Sequence, residues 1–186
     1  ILSKDNRLLF AVNAGSDSVS VFAVYGDHLS LLDTISSGGT LPVSLAVQDN
    51  LLYVLNAGGI PNISGFMIDS LTNKLVAISG SIQNLPGGAA AAPCQISFSP
   101  DGNAIVVTEK GTNLIDTFVI DEDGIAPYSP VIHRDVLLNH PRFDNADFYR
   151  VFHLRRGRQG APRVRLDAHD VRGLHKRLPS VEGLFR

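Results

Sequence analysis

The stretch LLYVLNAG at residues 51–58 decides the fold, because the chain repeats it. Residues 8–15 read LLFAVNAG, and residues 104–111 read AIVVTEKG, a weaker third copy. Each copy is an apolar run, rich in β-branched or aromatic residues, that polar residues and a glycine bring to an end. This pattern is typical of a strand followed by a turn. Three copies in the same context indicate a repeat architecture built from β-strands.

A second strand follows each copy of this stretch. The three following segments share the same spacing of apolar residues and lie at residues 18–24, 62–69 and 114–121. Phe22, Phe66 and Phe118 occupy the same position in them. An apolar residue at every second position allows a strand to bury one face. The Gly, Asn, Ser and Thr residues between the two strands favour a hairpin.

Further strands complete a four-stranded unit. We predict a third strand after each pair, at residues 29–35, 75–82 and 125–132, and a strand before the later pairs, at 42–47 and 94–99. Residues 1–6 resemble the end of the missing first strand. A repeat of about 40 to 50 residues is the size of one β-propeller blade. We therefore predict an all-β chain with a partial β-propeller at 1–133, rather than an ordinary sandwich, and blades at 1–37, 41–85 and 92–133.

Composition excludes several classes of protein. No apolar run approaches the roughly 18 residues of a membrane span, so we expect no membrane partner. The single cysteine, Cys94, cannot form an internal disulfide. The sequence has no His and Cys spacing typical of a metal site and no phosphate-binding glycine loop, so we expect neither a metal nor a cofactor. No targeting signal indicates a compartment.

Charge divides the chain into two parts. Residues 1–129 hold 4 Lys/Arg and 12 Asp/Glu, whereas residues 130–186 hold 12 Lys/Arg and 6 Asp/Glu. Three interpretations of the basic tail, residues 134–186, stay open: a nucleic-acid-binding arm, a disordered solvated tail, or the out-of-frame translation of a propeller gene. We favour the frameshift, because enrichment in Arg, Pro, His and Gly is typical of a GC-rich gene read in a wrong frame. We therefore do not expect nucleic acid as a partner.

Three motifs resemble one propeller family: VLNAG at 54–58, APCQISF at 92–98 and FSPDGNAIVVTEKGTNLIDTF at 98–118. Through them, residues 1–133 resemble the lactonase-type seven-bladed β-propellers, which include 6-phosphogluconolactonase-like proteins and are related to the YVTN-repeat propellers. The resemblance implies seven blades, of which this chain has about three. It implies a fragment of a hydrolase that acts on a sugar lactone, with a lactone or sugar acid as partner. The alternative is a non-catalytic propeller that binds a protein or a cell-envelope ligand.

Four polar residues are candidates for the site of such a propeller. Asn13, Asn56 and Glu109 end the second strands of their blades, and Gln95 begins an inner strand. The resemblance implies that Glu109 faces the channel, where a partly desolvated carboxylate can act as general base. The alternative is a solvated loop glutamate beside Lys110. Asn13 and Asn56 could bind a sugar hydroxyl or serve their turns, and Gln95 could point into the channel or satisfy a backbone group.

An open array of blades predicts exposed edges. Three blades cannot close a propeller, so the last sheet exposes an edge and a face. We expect the fragment to be inactive on its own and to self-associate through these blade edges.

Overall fold

The computed structural model describes residues 1–126 and 129–134 as β-strands with two short 3₁₀-helices, Ala14–Ser16 and Gly88–Ala90. The strands are β1 (Leu8–Asn13), β2 (Ser18–Tyr25), β3 (His28–Ser36), β4 (Thr40–Gln48), β5 (Leu51–Gly58), β6 (Asn62–Ile68), β7 (Leu75–Ala77), β8 (Gln83–Asn84), β9 (Pro93–Phe98), β10 (Ala104–Glu109), β11 (Leu114–Val119) and β12 (Val131–Arg134). Neither helix of this part has the length and apolar character needed to cross a membrane. The predicted basic tail lies outside the described residues from position 135 onward.

The strands form three antiparallel sheets, one for each predicted blade, which confirms the partial propeller. The sheet orders are β1-β2-β3, then β4-β5-β6-β7 with β8 also paired to β6, and β12-β11-β10-β9. The central hairpin has the same register in all three sheets, because its last pair is Asn13 with Ser18, Asn56 with Asn62, and Glu109 with Leu114. The sequence repeat is therefore a repeat of structure.

The first strand of each blade lies where the sequence predicts it. Strands β4 and β9 lie at the same edge of their sheets, and β9 contacts β4 of the blade before it. In blade one, Leu2 forms a β-bridge with Leu9, so residues 1–6 include the remnant of a first strand.

The predicted third strands of blades two and three are shorter than expected. Strand β7 ends at Ala77, and Gly80 then adopts a left-handed conformation with φ +80°, which a strand cannot continue through. The Ser81 hydroxyl bonds to the backbone N–H of Gly65, where a ladder partner would otherwise be needed. In blade three, the strand begins at Val131 rather than 125. Pro127 and Pro130 precede it, and proline cannot donate to a ladder.

The core consists of two apolar clusters on opposite faces of β5. Leu52 and Val54 pack into the cluster shared with blade one, whereas Tyr53 and Leu55 pack into the cluster shared with blade three. Since alternate residues of a strand point to opposite faces, the middle sheet is buried on both sides. The clusters therefore fix each blade against its neighbour, and each such side chain contributes about 1.5–3 kcal/mol by its burial.

Candidate functional site

The polar residue that ends the second strand of blade one serves its own hairpin. The Nδ2 of Asn13 donates to the hydroxyl oxygens of Ser18 at 3.0 Å and Ser20 at 2.8 Å. Asn13 is half-buried. It thus ties the end of β1 to the start of β2.

The equivalent residue of blade two reaches the connection that enters the blade. Asn56 is fully buried, and its Nδ2 donates to the Ser37 carbonyl at 3.1 Å and to Asn62 Oδ1 at 3.0 Å. The Ser64 hydroxyl donates to the same Ser37 carbonyl. Ser37 lies between β3 of blade one and β4 of blade two, so this cluster anchors the chain as it passes from blade to blade.

Close approach of the connection to Asn56 depends on glycine. A Cβ placed on Gly39 would lie 2.7 Å from the Cβ of Asn56, and one on Gly38 would lie 2.8 Å from the Cβ of Ser64. Real side chains do not tolerate such contacts, so the two glycines allow the backbone to lie directly against the cluster.

Glu109 occupies the same position in blade three and also reaches the preceding connection. Its Oε1 accepts from the backbone N–H of Gly87 at 3.1 Å, and its Oε2 accepts from the Thr112 hydroxyl. The carboxylate is fully buried. The alternative of a solvated loop glutamate beside Lys110 is therefore wrong. A side chain on Gly87 would collide with Glu109, so glycine is again required where the connection passes.

Asp116 completes this cluster, and our sequence analysis missed it. It takes the place that Ser20 and Ser64 hold in the other blades, which the repeat alignment could have revealed. Asp116 is fully buried, and neither of its carboxyl oxygens has a hydrogen-bond donor among the described residues. Burial, followed by the neighbouring Glu109 carboxylate, raises the pKa of Asp116 to about 8.

Gln95 lies on β9, opposite Thr108 of β10, and is half-buried. No hydrogen bond of its side chain is found within the described part of the chain. The adjacent Cys94 is a free thiol whose pKa burial raises. Gln95 is thus the one predicted site residue whose amide is not engaged by its own blade or by a connection there.

Three of the four predicted residues, Asn13, Asn56 and Glu109, lie at corresponding points of successive blades, and Gln95 lies on β9 of the third blade. No hydrogen bond joins one of them to another across residues 1–126 and 129–134. In the same ranges, no group of three or more His, Cys, Asp or Glu side chains is arranged to hold a metal ion. Glu109 and Asp116 are the fully buried carboxyl groups of the described residues.

Comparisons with known proteins agree with this architecture. Residues 1–87 match the family model described as lactonase, seven-bladed β-propeller. An uncharacterised protein of Staphylococcus aureus is 33% identical over 78 residues, which are 40% of this chain and 23% of that protein. The chain thus spans about a quarter of the length of the curated relatives that it matches.

Solved structures show the same fold. A candidate 6-phosphogluconolactonase of Bacteroides fragilis superposes with a TM-score of 0.61 at 17% identity, over 71% of this chain and 36% of that one. The periplasmic gluconolactonase of Pseudomonas aeruginosa gives 0.57 at 22% identity, over 72% and 40%. A candidate 6-phosphogluconolactonase of Bacteroides uniformis gives 0.53 at 25% identity, over 73% and 41%.

Proposed function

Because residues 1–87 match the lactonase seven-bladed β-propeller family and the described sheets form a partial propeller of that type, we propose that these blades are part of a sugar-lactone hydrolase. The substrate would be a lactone of the 6-phosphogluconolactone type, and the product its sugar acid. The family match is the observation that carries this proposal, and the solved gluconolactonase and candidate 6-phosphogluconolactonases with the same fold support it.

Within this proposal, Glu109 is the general base. The carboxylate takes a proton from water, whose oxygen attacks the lactone carbonyl, and the ring C–O bond then breaks and its oxygen takes up a proton. Glu109 is buried against Gly87. Turnover therefore requires residues 85–92, which connect blades two and three, to move away from it.

Three further residues would bind substrate in this proposal. Gln95 is half-buried and its amide is free of partners in the described part, so it can bind a sugar hydroxyl without breaking an existing bond. Asn13 and Asn56 would have to exchange the hydrogen bonds that they make in the structure. We therefore rank Gln95 ahead of the two asparagines as a substrate-binding residue.

The test is a lactone hydrolysis assay on the longest natural form of the protein that the gene encodes, with the spontaneous rate subtracted. We expect turnover of 6-phosphogluconolactone, and a fall of about 100-fold or more in kcat for Glu109→Gln, as is usual when a general base is lost. Glu122→Gln is the matched control, because Glu122 is an exposed carboxylate on a turn. No turnover above the spontaneous rate, or equal kcat in both variants, would overturn the proposal.

A second candidate function is a non-catalytic propeller that binds a protein or a cell-envelope ligand. One observation favours it: Asn13, Asn56 and Glu109 all bond within their blades or to a connection. The described blades therefore offer no exposed set of converging ionisable groups. Co-sedimentation with a cell-envelope fraction, together with no lactone turnover, would favour this function over hydrolysis.

A further inference from the structure

Blade three contains two clustered carboxyl groups, Glu109 and Asp116. The proposed lactonase mechanism uses only Glu109. Glu109 and Asp116 occupy the positions of Asn56 and Ser64 in blade two. The blade-two cluster contains no ionisable group, whereas blade three buries two acids fully at the same place. Two ionised carboxylates in one buried site repel each other, so one of the pair keeps its proton to a much higher pH than usual.

The hydrogen bonds indicate which member holds the proton. Glu109 already accepts from Gly87 and Thr112, which is the environment of an ionised carboxylate. Asp116 has two buried oxygens and no donor among the described residues. A proton on Asp116 turns this carboxyl into a donor toward Glu109 and removes one of the two buried charges.

We propose that Glu109 and Asp116 share one proton, and that this proton makes the pair a pH-sensitive latch on the connection between blades two and three. The latch acts through the bond from Glu109 to the Gly87 N–H, which holds residues 85–92 against blade three. When the shared proton is lost, the two charges separate and the connection is released.

The direction of the pH dependence follows from the raised pKa. Asp116 titrates near 3.8 in the unfolded chain and at about 8 in the native one. Between these values the native state holds a proton that the unfolded chain has released, so the free energy of unfolding falls as the pH rises. The contribution of this proton to the free energy of unfolding is fully present below pH 3.8 and is lost above about pH 8.

Within residues 1–126 and 129–134, few other charged groups lie near the pair, and the titratable residue of β12, His133, pairs in register with Ile115. Lys110 comes directly after β10 and is exposed, and the Cys94 thiol of β9 contacts Thr108. Residues 85–92 contain no ionisable side chain. On β12, Arg134 pairs in register with Leu114. Tyr53 lies in the apolar cluster between blades two and three. Burial raises its pKa to about 12, so the phenol stays neutral between pH 5 and pH 9.

The experiment is thermal unfolding of the 186-residue chain and of Asp116→Asn, followed from about pH 5 to about pH 9. An asparagine donates to Glu109 at every pH, so it replaces the shared proton with a permanent one. We expect the melting temperature of the unchanged chain to fall between pH 5 and pH 9 by about 5 °C or more beyond any fall seen in the variant. This is the size that the loss of one such proton predicts for a small domain. Parallel profiles for the two proteins would overturn the proposal.

Two further variants keep the test informative if Asp116→Asn does not fold. Glu109→Gln should also flatten the profile, because its amide donates to Asp116 while its oxygen still accepts from Gly87. Lys110→Ala should keep the full pH dependence, because Lys110 is exposed. Loss of the dependence in Lys110→Ala would mean that an ion pair, not a shared proton, controls Asp116.

The ¹³C NMR chemical shift of the Asp116 carboxyl carbon reports directly whether this carboxyl holds the shared proton. We expect the Asp116 carboxyl to titrate near pH 8 in the folded chain, and ordinary titration near pH 4 would overturn the latch. Recovery of stability above pH 8 on addition of Mg²⁺ or Ca²⁺ would also overturn it, because the pair would then be a cation site. None of these measurements uses a lactone, so the latch and the hydrolase proposal can fail separately.

Discussion

Blades two and three each hold the connection that enters them with one polar side chain, but blade two uses a donor and blade three uses an acceptor. Asn56 donates to a carbonyl of the connection that enters blade two, whereas Glu109 accepts from an N–H of the connection that enters blade three. Both side chains end the second strand of a blade, and both lie against a glycine. The repeat therefore fixes the place of a polar anchor, and the backbone group that the connection presents decides whether the anchor is a donor or an acceptor.

The largest effect is expected when Asn56 of blade two is replaced by a carboxylate like that of blade three. Asn56→Asp places a carboxylate against the Ser37 carbonyl, where only a donor is satisfied. An unpaired buried charge of this kind costs about 3–5 kcal/mol, so we expect a large loss in urea unfolding free energy at neutral pH.

Asn13→Asp is the control for that experiment. Asn13 is half-buried and bonds to two hydroxyl groups, which can donate to a carboxylate as well as accept from an amide. We expect a clearly smaller loss. Equal losses in the two variants would contradict the view that the carbonyl of the connection selects the donor.

A smaller effect should follow from filling the space between the connection and its anchor. Gly39→Ala places a methyl group 2.7 Å from Asn56 Cβ, and overpacking of this kind costs about 1–3 kcal/mol. Gly15→Ala is the matched control, since nothing lies within 4 Å of the added methyl group. If thermal unfolding showed Gly39→Ala to be as stable as Gly15→Ala, the close approach would not matter to stability.

An effect of similar size concerns the second donor of the blade-three anchor. Thr112→Val removes the hydroxyl that donates to Glu109 but keeps the shape of the side chain. A hydrogen bond to a charged group contributes about 1.5–3 kcal/mol, and local relaxation should keep the loss near the lower value. Thr72→Val tests the same change on an exposed turn, where Thr72 donates to Asp69, and should cost less.

Most of the fold could be predicted from the repeat, because period-two patterns and turn residues are local signals. Strands β1 to β6 and the central hairpin of blade three follow directly from them. The short β7 could not be predicted, because its end depends on the left-handed Gly80 and on the Ser81 hydroxyl reaching Gly65. Those are contacts between residues 16 positions apart rather than a pattern along the strand.

The candidate site was harder to predict than the fold. The sequence places Glu109 at the end of a strand, but it does not show whether the side chain turns to the channel or to the preceding blade. The packing decides this, because Ile105 and Val107 lie on the face of blade three toward blade two, and Glu109 shares that face of β10. Asp116 could not be predicted from the strand pattern, because the pattern does not show that this position is buried; only its alignment with Ser20 and Ser64 indicates the cluster.

The contacts of Asn56 and Glu109 with the connections that enter their blades also couple the folding of neighbouring blades. Each connection leaves one blade and bonds to it, but its anchoring bonds to Asn56 and Glu109 are made by the next blade, so those bonds last only while that next blade is folded. Repeat arrays of this kind gain stability from nearest-neighbour contacts. Amide exchange at Gly87 would therefore report the opening of blade three, although the residue follows blade two in the chain.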